Sequence, residues 1–544
     1  MVQRFSFGAL LFFVLIVRAT AGSAESPAIP LFQTSDRCVA CHNGLVTSSG
    51  EDVSIGLDWR PTLMANSARD PYWQASVRRE SIDHPESQAK IEDECASCHM
   101  PMARYHAKSR GELGQVFTHL AAEPTSPARR EALDGVSCSL CHQLSPENLG
   151  APATLSGQFQ IAVPIDNTHR PEFGPFDIDA GLQRVMRSSS GGFLPTRAAH
   201  IRDSALCASC HTLHTSALGA DGRSIGTLPE QTPYQEWLHS SYVNERSCQS
   251  CHMPTVTEAV PVSRVLAEPR EGMARHVFVG ANFLVQQMLN RYRDDLSVAA
   301  QPTELVAAAE RTKAYLQSNA ARLSISAPER SPDRPLQFSV QVTNLGGHRL
   351  PTAYPSRRVW LHVLVTDANQ ATVFESGAVN PDGSIQGNDN DEDAARFEPH
   401  YRKIERADQV QIYESVLGDS NGRVTTALLS AVGYLKDNRL LPRGFDKSTA
   451  TPDIAVHGDA FEDPSFTDRG DEVIYRVDPG TARGPFEISA ELLYQPIGYR
   501  WAHNLERYDA AEPRRFVGYF QSMQGDSATV LARSTATTQR EQKP

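Results

Sequence analysis

The pattern Cys-x-x-Cys-His constrains this chain more than any other feature, because it occurs five times in 544 residues. The chain has ten cysteines, and the five copies use all of them. No cysteine is therefore left for a disulfide or for a separate thiol site. All five copies lie before residue 255, at Cys38–His42, Cys95–His99, Cys138–His142, Cys207–His211 and Cys248–His252.

Two thiols at this spacing, followed at once by a histidine, are typical of covalent haem attachment. Each thiol forms a thioether to one vinyl group of the same haem, and the histidine supplies the proximal iron ligand. Zinc ribbons also use Cys-x-x-Cys, but zinc does not require a histidine directly after every second cysteine. A thioredoxin-like redox pair would occur once, and a disulfide framework suits a short chain. The pattern thus predicts five covalent haem c groups with the cysteines Cys38, Cys41, Cys95, Cys98, Cys138, Cys141, Cys207, Cys210, Cys248 and Cys251 and the proximal histidines His42, His99, His142, His211 and His252.

The start of the chain predicts export. Arg4, an apolar run over 7–17 and small residues up to Ala24 form a signal peptide pattern over residues 1–24. The apolar run is too short to span a bilayer, and no later stretch has the roughly 20 apolar residues that a spanning helix needs. An uncleaved anchor is the alternative. We expect a bacterial protein in the periplasm or otherwise exported, with no transmembrane segment after signal removal.

The charge of the chain bears on its partners. The formal net charge is −12, and haem propionates would make it more negative. An acidic surface of this kind disfavours nucleic acid and anionic membranes. Redox partner proteins are therefore the expected partners, whereas the sequence does not specify the oligomeric state.

The second half has no cysteine, and its hydrophobic pattern changes from helical to alternating. Helices are expected over 281–296 and over 304–319, the second capped by Thr303. Strict alternation over Leu336–Val342 predicts a half-buried strand. The expected fold is an α+β multidomain protein: a loop-rich helical multihaem cytochrome c domain over 25–322, an antiparallel β-sandwich of the immunoglobulin-like kind over 323–524, and a disordered tail over 525–544. Further strands are expected over 359–365, 372–375, 410–416, 472–477 and 486–494, and a helix over 513–523.

An acid–tryptophan motif occurs twice in the first half. Asp58-Trp59 and Glu236-Trp237 each follow one Cys-x-x-Cys-His copy and precede another that continues with Met-Pro. A hydroxyl residue stands three positions after each tryptophan, and Met64 or Tyr242 two positions further. The repeated order predicts duplicated two-haem modules.

Five haem irons also need sixth ligands, and eighteen histidines are available of which five are proximal. Met64 is a candidate because thioether sulfur binds haem iron and raises its potential. A neutral tyrosine is a poor ligand, so the module with Tyr242 is expected to recruit a histidine or to stay open. If His348 is a ligand, it joins the two halves of the chain. The candidate distal ligands are Met64, His119, His169, His200, His276 and His348.

One further metal site is a candidate. The acidic run over 388–393 resembles an oxygen-rich calcium loop, although it lacks the full spacing of an EF-hand. Solvated acidic loops of this composition are common. Calcium is therefore a possible second cofactor, beside the alternative of a loop without metal.

The haem half resembles multihaem cytochromes of the cytochrome c-554 group, which are related to the hydroxylamine oxidoreductase-type cytochromes. The resemblance rests on Glu236-Trp237-x-x-Ser240, Cys207–Leu213 and Cys248–Pro254, and it covers roughly residues 30–290. In that group the tryptophan motif ends in a histidine that is a distal ligand, and this chain departs from it with Met64 and Tyr242. The second half resembles the β-domain of a group of exported multihaem cytochromes, through 347–352 and 495–503.

Two functions remain. Electron transfer through a chain of covalently bound haems is favoured, with no catalytic residue expected. The alternative is a multihaem oxidoreductase that acts on a small nitrogen or sulfur compound at a haem with an open distal site. The sequence leaves open whether the protein is an enzyme.

Overall fold

The computed structural model describes Met1 and residues 29–162, 169–329 and 334–538. Apart from Met1, the predicted signal peptide lies outside these residues. Helices form most of the regular structure before residue 320 and strands form most of it afterwards, so the chain is an α+β protein, as expected. None of the helices in the described ranges combines the length and the apolar character that crossing a bilayer would require.

The helices of the first part are mostly short, because proline, glycine and polar loops interrupt them. Four contain cysteines of the Cys-x-x-Cys-His copies and end within or just after the copy, and a fifth ends at His99. The helices are Ser35–Val39, Ile55–Trp59, Pro71–Asp83, Gln88–His99, Pro101–Ser109, Val116–Ala121, Pro127–Leu133, Cys138–Cys141, Ala180–Ser190, Ser204–Ala208, Pro233–Leu238, Cys248–His252, Phe283–Arg291, Pro302–Asn319, Asp389–Glu392, Tyr499–His503 and Ala511–Gln521.

The cap expected at Thr303 is wrong by two residues. Gln301 occupies the cap position, Pro302 begins the helix, and the backbone amide of Gln301 donates to Glu304 Oε2 at 3.1 Å. Proline is well suited to the first helical position because its missing amide proton has no partner there. The helix expected over 281–296 is also shorter, ending at Arg291, while the helix expected over 513–523 is found over Ala511–Gln521.

The strands, numbered in chain order, form two pairs and three sheets of three, four and five strands. They are β1 (Arg170–Gly174), β2 (Phe193–Arg197), β3 (Leu213–Leu218), β4 (Ser224–Gln231), β5 (Ala321–Ile325), β6 (Leu336–Asn344), β7 (Arg358–Thr366), β8 (Thr372–Ser376), β9 (Lys403–Ile404), β10 (Ile412–Tyr413), β11 (Ser415–Asp419), β12 (Val424–Thr425), β13 (Ala431–Asp437), β14 (Asp471–Val477), β15 (Glu487–Gln495) and β16 (Thr529–Thr537).

Two sheets make up the body of the second part. One has the order β5-β6-β14-β9, and the other has the order β10-β7-β15-β16 with β8 also on β7. Pairing is antiparallel except between β9 and β14. Every second residue of β6 is buried, which is the alternation expected for a strand with one face on a core. A third sheet, β12-β11-β13, and the pairs β1-β2 and β3-β4 complete the described strands.

Both large sheets and two helices of the first part share one hydrophobic core. Phe338 of β6 and Leu361 of β7 lie in the same buried cluster as Phe283 and Leu289 of the helix Phe283–Arg291, and as Leu305 of the next helix. The boundary expected between residues 322 and 323 falls inside β5. These two helices therefore belong, by their packing, with the sheets.

The tail expected to be disordered from residue 525 is instead ordered up to residue 538. Residues 529–537 form β16, which pairs antiparallel with β15 along its whole length, and Leu531 is buried. The serine, threonine and alanine content of this stretch suggested disorder, but β-branched threonine is well suited to a strand once a neighbouring edge is present.

We predict that a fragment 281–538 is more stable than a fragment 323–538. The shorter fragment lacks the first residues of β5 and the buried side chains of the helix Phe283–Arg291. Each such side chain contributes about 1.5–3 kcal/mol when it is buried. Urea unfolding followed by circular dichroism should give a higher midpoint for the longer fragment. Equal midpoints would show that the sheets have an independent core.

Candidate functional site

One large cavity collects all five Cys-x-x-Cys-His copies. Its volume is about 1910 Å³, and all fifteen cysteines and histidines of the copies line it. Aromatic side chains such as Trp59, Trp73 and Trp237 complete its wall. The buried clusters formed wholly or mostly by residues of the first part are small. The helices and loops of this part are therefore arranged around the cavity rather than around a core of side chains.

Helical geometry explains how each copy presents its three side chains. Residues three and four apart lie on one face of a helix, so the two cysteines and the histidine point the same way in the copies at Cys95 and Cys248, which lie wholly within helices. In the other three copies the helix ends before the histidine, but the histidine amide still donates to the carbonyl of the first cysteine, so the helical turn continues. Ser247 begins one such helix, and its side chain accepts from Ser250 N. The Asp203 side chain likewise begins the helix that carries Cys207. All ten cysteines are half-buried, none is in a disulfide, and all ten line the cavity.

Four of the five histidines are held in the same way. A backbone carbonyl lies within hydrogen-bond distance of Nδ1 in each, so that Nδ1 donates and Nε2 is left with a lone pair for a metal. The distances are 2.6 Å from His42 to Val262 O, 3.0 Å from His99 to Ser67 O, 2.5 Å from His142 to Phe173 O and 2.5 Å from His252 to Val279 O. His211 makes no such bond to any residue that the structure describes.

Burial keeps these imidazoles in the neutral form that binds metals. Desolvation lowers the pKa of His99 and of His211 to about 4. It also lowers the pKa of His42, His142 and His252, although the carbonyl acceptors oppose the shift. The donor set is thus uncharged before any metal binds.

Two of the candidate distal ligands face a proximal histidine. The ring centroids of His142 and His276 are 6.3 Å apart with 19° between the ring planes, and those of His252 and His348 are 6.2 Å apart with 15°. Two imidazoles bound on opposite sides of one metal by bonds of about 2 Å have centroids about 6 Å apart. Carbonyl acceptors also lie at Nδ1 of His276 and of His348. Each pair thus has the spacing that a six-coordinate iron needs.

The other candidates are placed differently. Met64 lines the cavity, and its carbonyl accepts from Val136 N at 2.9 Å. The three histidines His119, His169 and His200 are not part of the cavity wall. Nε2 of His200 lies 2.9 Å from Leu144 O. His214 does line the cavity, with Nε2 at 3.0 Å from Asp453 Oδ2. No motif in the sequence distinguishes it from the other spare histidines.

Tyr242 does not present a free phenol to the cavity. Its hydroxyl donates to Leu345 O at 2.9 Å, and the guanidinium of Arg443 lies 5.0 Å from the ring centroid. The side chain therefore supports the loop that precedes His348.

The copies are close neighbours in space. Contact with the Cys138 thiol raises the pKa of Cys38 well above its ordinary value, and contact with Cys248 does the same for Cys207. The Cys210 thiol in turn lowers the pKa of Cys98. Groups attached at these copies would lie side by side along the cavity.

The side chains around the cavity fit haem c and do not form a zinc site. Pairs of free thiols stand beside neutral imidazoles in a large, mostly apolar space, as covalent haem requires. Within the described ranges, one group of three metal-ligating side chains comes within 4.8 Å, and it contains no cysteine. The thiols therefore do not meet in the sets of three or four that structural zinc uses.

That group, His400, Asp463 and Asp471, is a buried hydrogen-bond network. The side-chain amides of Gln411 and Asn438 both donate to His400 Nδ1, at 2.9 and 3.1 Å. The proton of the neutral ring is thus on Nε2, which lies 3.2 Å from Asp463 Oδ2. A metal would need the lone pair of this nitrogen, which is protonated. The network therefore has a structural role in the β part, the sheets and loops after residue 320.

The acidic run over 388–393 contacts arginines. Asp391 pairs with Arg358 at 2.8 Å in a buried position, and its other oxygen accepts from Ile385 N. Asp389 pairs with Arg396. Calcium at this run stays a prediction, and two of its carboxylates already have cationic partners.

No protein-family description and no curated protein sequence matches this chain. Among solved structures, the chain is similar to the crystal structure of a penta-heme cytochrome c552 from Thermochromatium tepidum, with a TM-score of 0.50 and 15% identical residues. The match covers 93% of this chain and 98% of that chain. At this identity the likeness concerns the fold, and its coverage extends over both the helical part and the β part of this chain.

The cavity wall also contains a carboxyl group that should make stability depend on pH. Burial raises the pKa of Glu230 from 4.5 to about 7, although Thr215 Oγ1 donates to it at 2.6 Å. Because the folded pKa is above the unfolded one, protonation of Glu230 favours the folded state. This contribution to the free energy of unfolding is complete below pH 4.5 and is lost as the pH rises through about 7. The loss amounts to about 3 kcal/mol.

We predict that Glu230→Gln removes most of this loss. Denaturant unfolding at pH 5 and at pH 8 should show a smaller difference in the free energy of unfolding for the variant than for the wild type. Glu271→Gln, at an exposed position, is the control and should leave the difference unchanged. An unaltered pH dependence in the Glu230 variant would contradict the prediction.

Proposed function

We propose that this chain is a multihaem c-type cytochrome that transfers electrons between redox partner proteins, through five covalently attached haems. The observation that carries the proposal is the single cavity lined by all five Cys-x-x-Cys-His copies. The thiol contacts between different copies support a continuous series of haems rather than isolated ones. When bound, the haems supply the one-electron chemistry, and the chain holds them in place and excludes water.

The geometry supports histidine pairs at two haems. His142 with His276, and His252 with His348, are the proposed axial ligands of the third and fifth haems in chain order. For the remaining haems, Met64 is the proposed candidate in the cavity wall, and His119, His169 and His200 stay predictions. Ligation by two histidines favours a lower potential than ligation by histidine and methionine.

Location and relatives are part of the proposal. The pattern over residues 1–24 supports export to the periplasm or beyond, where haem is attached to such copies. The cytochrome c-554 group, with its hydroxylamine oxidoreductase-type relatives, stays the proposed kinship of the haem part over 25–322.

The strand order supports an immunoglobulin-like sandwich in the second part. In that fold, one sheet contains the first, second and fifth strands, and the other contains the third, sixth and seventh. Here β5, β6 and β14 share one sheet, and β7, β15 and β16 share the other, with the stretch between β8 and β14 as a large insertion. The short β9, parallel to β14, departs from the usual pattern.

A second function, reduction or oxidation of a small nitrogen or sulfur compound, is supported by the wall near His211. No described histidine faces this ring as His276 and His348 face theirs. Arg357 lines the cavity, and among the described residues its guanidinium makes one hydrogen bond, to Thr352 O at 2.8 Å. Tyr494 also lines the cavity, and its buried hydroxyl has no hydrogen-bond partner among the residues that the structure describes. Such donors suit a small anion.

The mass and the electron paramagnetic resonance spectrum of the oxidised protein test the main proposal. We predict that denatured protein carries five haems by intact mass, because each cysteine pair forms two thioethers. A polypeptide mass without haem would overturn the proposal. Low-spin signals from all haems would support a pure carrier, whereas a strong high-spin signal would support the second function.

For the second function, we predict that Arg357→Gln slows the reoxidation of the dithionite-reduced protein by nitrite at least ten-fold, because a charged donor to the anion is lost. Arg60→Gln is the control, since Arg60 pairs with Glu304. Stopped-flow absorbance measures both rates. Equal rates in the Arg357 variant and the wild type would remove this arginine from any reaction.

A further inference from the structure

The acid–tryptophan motif occurs twice, and electron transfer alone does not explain why. Each tryptophan donates from Nε1 to a backbone carbonyl two residues before a Cys-x-x-Cys-His copy. Trp59 donates to Val136 O at 3.2 Å, next to the copy at Cys138, and Trp237 donates to Arg246 O at 2.9 Å, next to the copy at Cys248. The two motifs therefore hold equivalent points of the third and fifth copies.

The acids bind on the opposite side of the same two sites. The Asp58 carboxylate is held by both Nε and Nη2 of Arg275, each at 2.8 Å, and Arg275 directly precedes His276. The Glu236 carboxylate accepts from the backbone amide of Arg349 at 3.1 Å, and Arg349 directly follows His348. In both cases the acid fixes the neighbour of a histidine that faces a proximal ring.

Both acids are buried, so these contacts are strong constraints on the chain. Asp58 is 5% exposed and Glu236 is fully buried. Arg439 pairs with Glu236 at 2.9 Å, and the hydroxyl of Thr352 also donates to Glu236. Removal of one partner of a buried charge pair is costly because the other charge is left uncompensated. The acid side chains thus have one stable arrangement, in which the flanking backbone is fixed.

We infer that the acid–tryptophan dipeptide is a positioning device that aligns the two axial ligands of one haem. The tryptophan fixes the segment with the cysteines and the proximal histidine, and the acid fixes the segment with the distal histidine. Asp58-Trp59 serves the His142–His276 pair, and Glu236-Trp237 serves the His252–His348 pair. The inference rests on the proposed haem binding, and it makes Asp58 and Glu236 positioning residues for ligands far away in sequence.

This assignment changes the two-haem modules expected from the sequence. The order along the sequence pairs the first tryptophan motif with the second copy, which is followed by Met100-Pro101. It pairs the second motif with the fifth copy in the same way. The structure instead connects Trp59 to the third copy. The equivalent units are therefore the third and fifth copies with their distal segments.

The test uses the full-length holoprotein and counts the haems that bind carbon monoxide in the reduced state, by visible absorbance. His276→Ala and His348→Ala should each add one haem that binds carbon monoxide. Asp58→Asn should reproduce the effect of His276→Ala, and Glu236→Gln that of His348→Ala, because a released distal segment no longer holds its imidazole on the iron. The double variant Asp58→Asn/Glu236→Gln should add two.

Glu512→Gln is the matched control. It also removes a carboxylate that binds an arginine through two hydrogen bonds, to Arg78 at 2.9 and 3.0 Å, but it lies away from the cavity. The control should leave the count unchanged. If the histidine variants add a haem and the acid variants do not, the positioning role is wrong. If the histidine variants add none, the assigned distal ligands are wrong.

Failure of the proposed function would look different, because the intact mass would then lack haem in the wild type. If an acid variant does not fold, Trp59→Phe and Trp237→Phe give a second readout. Each keeps an aromatic ring at the position and loses the indole N–H that donates the hydrogen bond. Each should shift the low-spin resonance of one haem. Spectra that match the wild type would overturn the alignment role of the tryptophans.

Discussion

Hydrogen bonds from imidazole Nδ1 to backbone carbonyls are the interaction on which the haem part depends. They fix four of the five proximal rings, and they leave Nε2 of those rings for the cavity. The carbonyls are contributed by distant segments, as with Val262, which lies 220 residues from His42. A cavity of about 1910 Å³ is also far larger than the voids that close-packed interiors tolerate. The loops that contribute these carbonyls therefore also enclose the cavity, because each of them folds around the ring that it holds.

Buried charges connect the β part to the haem part. Arg349, Asp437 and Arg439 of the β part surround Glu236 of the haem part, and all four are at most 4% exposed. Moving such charges out of water costs several kcal/mol for each ion, so the network adds little net stability. It instead allows one relative arrangement, because any shift leaves an unpaired charge. The helix Phe283–Arg291 adds apolar contacts to the same junction.

Local patterns predicted most of the strands and located the five copies that line the cavity, because both depend on neighbours in sequence. The alternation over Leu336–Val342 and the five copies required no knowledge of tertiary contacts. The distal ligands were harder, since only the fold decides which of the spare histidines meets a ring. His276 and His348 reached the cavity wall, while His119, His169 and His200 did not. The strand over residues 529–537 was missed because it depends on the edge of β15 more than on its own composition.

The repeated acid–tryptophan motif is a sequence signal that does relate to contacts between distant segments. Its two copies bind different groups, a guanidinium of Arg275 in one case and a backbone amide of Arg349 in the other. The two motifs therefore do not share one type of residue–residue contact. What they share is the distance between a tryptophan side chain and the carboxylate next to it in sequence. This distance reaches from the segment with the proximal histidine to the segment with the facing histidine. In the first case both sides come from the haem part, and in the second the distal side comes from the loop after β6. The same dipeptide thus tolerates a distal segment from either part of the chain, which is how the second part, without any cysteine, contributes His348 to the wall of a cavity lined by the cysteines of the first part.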